Sequence, residues 1–310
     1  MNLAYIPETR RPPITDRPVR VLCFGEVLWD CLPSGRKPGG APANVAYHLH
    51  RLGCEVQLIS AVGPDAAGDA MLDHLRERGL STALVQRHAT LPTGTVEVAL
   101  GPAGQPAYDI RTGVAWDEIA LTDAILAAAR DCDALVYGTL AARSETNRRT
   151  LDALLEVPGP LKCIDVNLRA PFDDPGRALA LCRRADWIKL NDGELAQLTG
   201  LPIDGGELPD TIDRLREMTG RHRVCVTRGE KGAILWQQIA ILAEPPPRVQ
   251  VVDTVGAGDA FTAALLHGLL TLPITHSPTV LRRALHLGAL VASLPGAQPD
   301  YATPWTPTAT

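Results

Sequence analysis

Hydrophobic and polar positions repeat along this chain with two periods, and where the period changes the predicted element changes. Over residues 93–100 the period is two: Thr95, Glu97 and Ala99 fall on one side, Val96, Val98 and Leu100 on the other. A turn over Gly101–Gly104 and a return at 107–110 then predict a hairpin with one apolar and one polar face. From Leu121 the pattern lengthens. Helices over 123–130 and 145–155 alternate with strands over 134–137 and 161–166, and further strands are predicted at 186–190, 224–227 and within 234–242. This alternation predicts an α/β fold, a central mostly parallel sheet flanked by helices. Upstream, a strand at 21–24, a helix from Pro42 to Leu52, a strand over 54–62 and a helix over 67–78 fit the same scheme, with Gly53 and Gly79 as stops. Near the end, β-branched residues at 249–252 predict a strand. Phe261, Ala264, Leu265, Gly268 and Leu269 then recur at helical spacing, and 279–293 predicts a last helix.

Composition refines this picture at a few points. A chain of 310 residues, 45% hydrophobic, is ample for a sizeable core. No apolar run approaches the roughly 18 residues of a membrane span. The net charge of −5 offers no field for nucleic acid or an anionic membrane. Seven cysteines form no C-x-x-C pair, and several lie in apolar strand-like runs; buried thiols in a reducing, cytoplasmic setting are expected. Residues 1–19 are polar and lack the apolar stretch of a secretory signal, so they are expected to be a flexible N-terminal segment.

Chemistry-bearing residues gather where the late strand meets its helix, from Asp253 through Gly256, Ala257, Gly258 and Asp259 to Phe261. Little side chain obstructs the turn, so the backbone N–H groups of Gly256, Ala257 and Gly258 can face a phosphate or another developing negative charge. Asp259 follows in the first helical turn. A bare carboxylate beside an anion hole suits removing a proton from a hydroxyl that attacks a phosphorus held there. Two plainer readings compete: Asp259 as a helix-dipole charge, and the glycines as the start of G-x-G-x-x-G. In the latter, Phe261 stands where a third glycine would pack. No G-x-x-x-x-G-K-[ST] loop occurs, so phosphate chemistry here is not of the P-loop kind.

Other positions join this one. Asp30 can grip two hydroxyls, Gly39 and Gly40 permit close backbone approach to a ligand, and Asn44 offers donor and acceptor from a first helical turn. Period-two geometry after the strand at 161–166 puts Asp165, Asn167 and Arg169 on one side, at the strand end where α/β ligands bind. Asn191 with Glu194 reads as a capping box. Thr227, Gly229 and Gly232 read as a turn between strands.

The nine residues from Asp253 to Phe261 resemble the C-terminal signature of the ribokinase-type (PfkB) carbohydrate kinases. Gly39-Gly40-Ala41-Pro42-Ala43-Asn44 resembles the N-terminal sugar-binding signature of the same family, and the run 111–117 looks fructokinase-like. The resemblance covers roughly residues 20–297. It implies a kinase domain over 20–297, with a lid from about 31–37 and 93–112, and residues 298–310 as a Pro/Thr-rich tail. It implies Asp259 as general base, with Gly256, Ala257 and Gly258 as the anion hole. Asp30, Gly39, Gly40, Asn44, Tyr108 and Arg169 would contact the sugar. Lys189, Asn191, Thr227, Gly229, Gly232, Gly256 and Gly258 would serve ATP. Asn191 and Glu194 would organise Mg²⁺ through water, and Asp253 would stand at a K⁺ site. A homodimer through the lid also follows from the likeness. The activity so implied is ATP-dependent phosphorylation of a small sugar, D-fructose to fructose 6-phosphate. 2-Keto-3-deoxygluconate, ribose, a nucleoside, or a non-catalytic sugar-binding regulator on the same fold are the alternatives.

Overall fold

A computed structural model describes residues 17–32, 35–100, 106–203, 208–237 and 240–302, with backbone alone at 98–100, 106–108, 240–241 and 274. The expected flexible segment at 1–16, the turn at 101–104 and the end of the tail at 303–310 lie outside the described residues.

The strands, in chain order, are β1 Arg20–Phe24, β2 Leu28–Leu32, β3 Gly35–Gly39, β4 Glu55–Val62, β5 Val85–Arg87, β6 Gly94–Leu100, β7 Pro106–Ile110 and β8 Ala134–Tyr137. They continue with β9 Leu161–Asp165, β10 Trp187–Asn191, β11 Arg223–Thr227, β12 Ala233–Gln237 and β13 Ala240–Glu244. The helices are α1 Ala41–Arg51, α2 Ala66–Glu77, α3 Asp123–Asp131, α4 Glu145–Glu156, α5 Pro175–Cys182, α6 Asp192–Thr199, α7 Leu208–Thr219, α8 Ala257–Thr271 and α9 Ser277–Ala292.

Nine strands form the main sheet in the order β13-β12-β11-β10-β9-β8-β1-β4-β5. Every pairing from β5 across to β11 is parallel; β12 and β13 add an antiparallel edge. Strands buried on both faces should read as continuous apolar runs, and β8 and β9 are buried at every position. Alternate residues of β1 feed the two faces. Val21 and Cys23 join the core under α1, α8 and α9, whereas Leu22 and Phe24 join the core under α3, α4 and α5. The chain passes from β1 to β4 on one side and returns to β8 on the other. A crevice therefore opens beyond the carboxyl ends of β1 and β8, where an α/β sheet exposes loops to ligand.

The expected hairpin is part of a second, four-stranded sheet in the order β3-β2-β6-β7. Its strands β2 and β3 leave β1 directly, so the lid and the crevice share one chain segment. Below it Trp116 is wholly buried and fills the space a side chain at Gly94 would need. The Arg143 guanidinium lies 3.9 Å from that indole and forms an ion pair with Asp117 at 2.7 Å.

Three readings of the sequence change. Residues 249–252 are not a strand: Val249, Val251 and Val252 are exposed, with Val251 and Val252 each at 61%. The N–H groups of Val252 and Asp253 instead reach the Ala292 carbonyl at the end of α9. β-Branched residues favour a pleated surface only when a neighbouring strand covers them, and none lies alongside here. The period-two alternation also fails beyond β9, because Asn167 has φ +41° and turns the chain out of the extended region. Finally, the first residues of the tail are built into the fold. Tyr47 donates its hydroxyl to the Pro299 carbonyl, Asp300 meets Arg51 and Arg78, and Tyr301 stacks on His48. All seven cysteines are free thiols.

Candidate active site

The first turn of α8 is where the strongest sequence signal lies. Gly256 precedes it with φ +78°, and Ala297 Cα stands 2.5 Å from where a side chain would begin, so only glycine fits. No side chain caps this helix, and its first α-helical bond runs from Ala260 N–H to the Gly256 carbonyl. The N–H groups of Gly258 and Asp259 precede that bond, and the positive end of the helix dipole is left open to an anion.

Asp259 stands in that turn with one oxygen already engaged: Asn44 Nδ2 donates to Asp259 Oδ2 at 2.8 Å. Burial raises its carboxyl to a pKa of about 6, and the charge of Asp165 adds to the effect; the Asn44 hydrogen bond, Lys189 and Arg169 act against it. Asp165 ends β9 in a buried network. Lys189 Nζ lies 3.0 and 3.1 Å from its two oxygens, and Thr262 Oγ1 donates to Oδ2 at 2.7 Å. Thr262 Oγ1 is also 2.9 Å from the Gly258 carbonyl, which ties the network to the glycine turn. Burial alone would lower the pKa of Lys189, but Asp165, Glu194 and Asp259 hold it above the ordinary value. One ammonium thus lies within the field of three carboxyls.

Glu26 follows β1 and is buried. Burial pushes its carboxyl up to about 7 and the charge of Asp259 adds to this, while its own N–H, that of Ala41 and the Arg169 charge oppose. Glu26, Thr139, Asp165 and Asn167 line a cleft of about 20 Å³ at the ends of β1, β8 and β9. Asp30, in β2, is likewise raised by burial and lowered by Arg169, and its carboxyl occupies the space beside Gly39. Gly40, with φ +112°, lets its backbone pass the Glu26 carbonyl. Arg169 is exposed and its charge reaches Glu26, Asp30 and Asp259 together.

A second cluster lies at the ends of β10 and β11. Asn191 and Thr227 are register partners. Asn191 Oδ1 accepts from Glu194 N–H and Glu194 Oε2 accepts from Asn191 N–H, each at 2.8 Å, so the capping box is complete. Glu194 Oε1 accepts from Leu168 N–H at 2.9 Å. Gly229 and Gly232 have φ +54° and +84° in the turn after β11. Asp253 takes Val255 N–H on one oxygen and Gly296 N–H on the other, both at 3.0 Å. Among the described residues no group of three or more His, Cys, Asp or Glu side chains could hold a metal ion directly. Tyr108 belongs to β7 by its backbone; its side chain lies outside the described residues.

The structure bonds Asn44 to Asp259, sets Asp30 beside Gly39 and Gly40 beside Glu26, and puts Glu26, Asp30 and Asp259 within the field of Arg169. Lys189 lies beneath the turn, and Asn191, Glu194, Thr227, Gly229 and Gly232 lie beyond it. Three residues at this centre carried no role in the sequence reading: Glu26, Thr262 and Gln298. Glu26 had a signal, an acid set between apolar Phe24 and Val27-Leu28 directly after a buried strand. Gln298 had none, because its partner Asn44 is 254 positions away.

Comparison with known proteins agrees with this geometry. The family model for "pfkB family carbohydrate kinase" matches residues 22–304. A fructokinase of Klebsiella pneumoniae is 32% identical over 300 residues, covering 90% of this chain and 94% of that protein. Among solved structures, a fructokinase with bound ATP from Xylella fastidiosa is 26% identical with a TM-score of 0.75, over 90% of this chain and 94% of that one. A fructokinase double mutant from Vibrio cholerae O395, in fructose-, ADP- and potassium-bound form, is 25% identical with a TM-score of 0.77 over 92% of this chain and 95% of that one. A half-buried carboxylate at an open helix N-terminus, a ribokinase-like sheet and a family match across nearly the whole chain lead to one conclusion: this chain belongs to the pfkB family of carbohydrate kinases.

Proposed function

We propose that the chain phosphorylates D-fructose at O6 with ATP, and that Asp259 removes the proton from the attacking hydroxyl. The observation that carries this reading is the setting of Asp259. Its carboxyl has a pKa raised to about 6, so it is ionised yet basic near neutrality, and it sits in the first turn of α8, a helix start that no side chain caps. Asn44 holds one oxygen, which leaves the other to receive the hydroxyl proton. As the hydroxyl oxygen closes on phosphorus, negative charge grows on the phosphoryl oxygens; the N–H groups of Gly256 and Gly258 stabilise it, whereas the expected third donor, Ala257 N–H, is engaged by the Thr254 carbonyl at 3.3 Å and joins them only if that bond yields. Lys189 stays bonded to Asp165 and places its charge under the same turn.

Asp30, Gly39, Gly40 and Asn44 form the sugar side, with Tyr108 and Arg169 at its lid and rim. Glu26 and Asp165 line the cleft, and Asp30 and Asp259 share the field of Arg169 with Glu26; this excess of carboxyls over one guanidinium disfavours an anionic substrate there. That favours a neutral hexose over a keto acid. The likeness to fructokinases at about 30% identity supports the same choice.

ATP occupies the side lined by Thr227, Gly229 and Gly232, reaching toward Asn191 and the α8 turn. Both oxygens of Glu194 already accept a backbone N–H, and each keeps a lone pair. The pair Asn191 and Glu194 therefore fits a water-mediated Mg²⁺ site and does not fit direct ligation. When bound, Mg²⁺ neutralises phosphate charge. Asp253 braces the turn where K⁺ would lie. The test is a coupled ATP-consumption assay over D-fructose, 2-keto-3-deoxygluconate, ribose and adenosine. kcat/KM for fructose is expected to lead by about 10² or more; a preference for the keto acid that Arg169→Ala abolishes would overturn the sugar assignment alone.

A further inference from the structure

Beyond the α8 turn, residues 296–301 run back across α1 and α2. Gly296 N–H bonds to Asp253, Ala297 packs on Gly256, and the Ala297 carbonyl lies 2.9 Å from His48 Nε2. Arg51 donates to the Tyr301 carbonyl and meets Asp300 at 3.2 Å. In the middle of this strap Gln298 is buried and bonded at both ends of its amide. Its Nε2 donates to Asn44 Oδ1 at 2.9 Å, and its Oε1 lies 3.0 Å from His74 Nε2.

The direction of these bonds is set by Asp259. An ionised carboxylate only accepts, so Asn44 must turn its NH₂ toward it and its oxygen toward Gln298. Gln298 must then present its NH₂ to Asn44 and its oxygen to His74, and His74 must carry its proton on Nε2. Three donors point the same way along a chain from α2 to the reacting carboxylate. Bonds in such a chain polarise one another, and each depends on the orientation of the next.

We propose that Gln298 is a positioning residue for the proton-abstracting carboxylate: through Asn44 it fixes which oxygen of Asp259 is occupied and which faces the acceptor hydroxyl. The inference rests on the reading of Asp259 as base. His74 anchors the far end of the chain. Without Gln298 nothing decides between the two orientations of the Asn44 amide, and the flipped one sets oxygen against carboxylate. The groups that face Asp259 besides Asn44 are Asp165 and Arg169 after β9, Lys189 in β10 and Glu26 after β1, and none of them touches Gln298. The hydrogen-bonded route from Gln298 to Asp259 runs through Asn44; a second contact, Ala297 packed on Gly256, is a backbone one that a change of the Gln298 side chain leaves in place.

The experiment compares wild type, Asp259→Asn, Gln298→Met, Gln298→Glu and His74→Leu for kcat, KM and the acidic limb of the kcat/KM–pH profile, with a thermal melt of each. Gln298→Met keeps the shape and removes the amide. It is expected to lower kcat about tenfold, the scale of one hydrogen bond, with KM for ATP unchanged. The acidic limb should move up by about half a unit or more, since the bond that favours ionised Asp259 is weakened. Gln298→Glu offers Asn44 only acceptors, so it inverts the amide and should cost more than Gln298→Met. His74→Leu should shift the limb the same way by less, and it carries the test should Gln298→Met fail to fold. A purely structural strap predicts lower melting temperatures with the limb unmoved, and that result would overturn the proposal. If Asp259→Asn retains wild-type kcat, the reading of Asp259 is wrong and the inference falls with it. If Asp259→Asn is inactive while the limb stays fixed in the other variants, the inference alone is wrong.

Discussion

The two sides of the cleft are built differently. On the side of Asp259, polar groups are buried or half-buried and bonded to several elements at once: α1 supplies Asn44, β9 Asp165, β10 Lys189, α8 Thr262 and the strap Gln298. On the side of Thr227 and Gly229, the surface is open. Asn191 and Gly229 are exposed, and Val251, Val252 and Val255 present 61%, 61% and 50% of their surface. Held carboxylates suit proton transfer, where a small misplacement is costly; an open, apolar rim suits a reactant that must enter and leave at every turnover. On the proposed assignment chemistry and exchange are separated in space, with the α8 turn between them.

Breaking the closed side should have the largest effect. Asp259→Asn is expected to lower kcat by about 10² or more while fructose and ATP still bind, measured by steady-state rates beside calorimetric binding. Activity within a few-fold of wild type would mean the held side is not the reacting side. Next comes pH. A base must be deprotonated, and Asp259 has a raised pKa of about 6, so kcat/KM should be level above about 7 and fall as pH drops through about 6. A limb near the ordinary carboxylate value would show that the carboxyl is more solvated than its surroundings imply.

Glu194→Gln lies on the boundary between the two sides. It removes a charge and keeps an acceptor for the cap, so the Mg²⁺ concentration for half-maximal rate should rise several-fold while thermal stability changes little. The reverse outcome would make Glu194 a capping residue alone. The smallest effect belongs to the open side: Val251→Ser should change stability by less than about 0.5 kcal/mol, as at other exposed positions. KM for ATP should rise a few-fold and KM for fructose should stay put. An equal rise in both would place Val251 outside the nucleotide side.

The same division explains what could be read from sequence. Sheet, helices and lid announce themselves through periodicity, and the α8 turn through its small residues, because these features arise from neighbours in the chain. The capping box of Asn191 and Glu194 was legible for the same reason. Residues 249–252 misled because strand propensity expresses packing against a neighbour that sequence does not supply. Asn167 misled because one positive φ ends an alternation with no local sign. Thr262 and Gln298 were invisible for a deeper reason: their importance lies in partners 97 and 254 positions away.

That last separation also matters while the protein is being made. Synthesis runs from the N-terminus, so α1 and α2 leave the ribosome long before residue 298 is added. Asn44 and His74 emerge as half of an arrangement whose other half, Gln298, follows them by 254 and 224 positions. Closing a contact over so long a stretch is entropically slow compared with forming a helix or a hairpin. The sheet can assemble around β1, β4 and β8 early, but Asp259 gains the oriented Asn44 seen here only after the strap has been laid across α1. The bonded orientation of the Asn44 amide is therefore acquired only once residue 298 has been made and laid across α1.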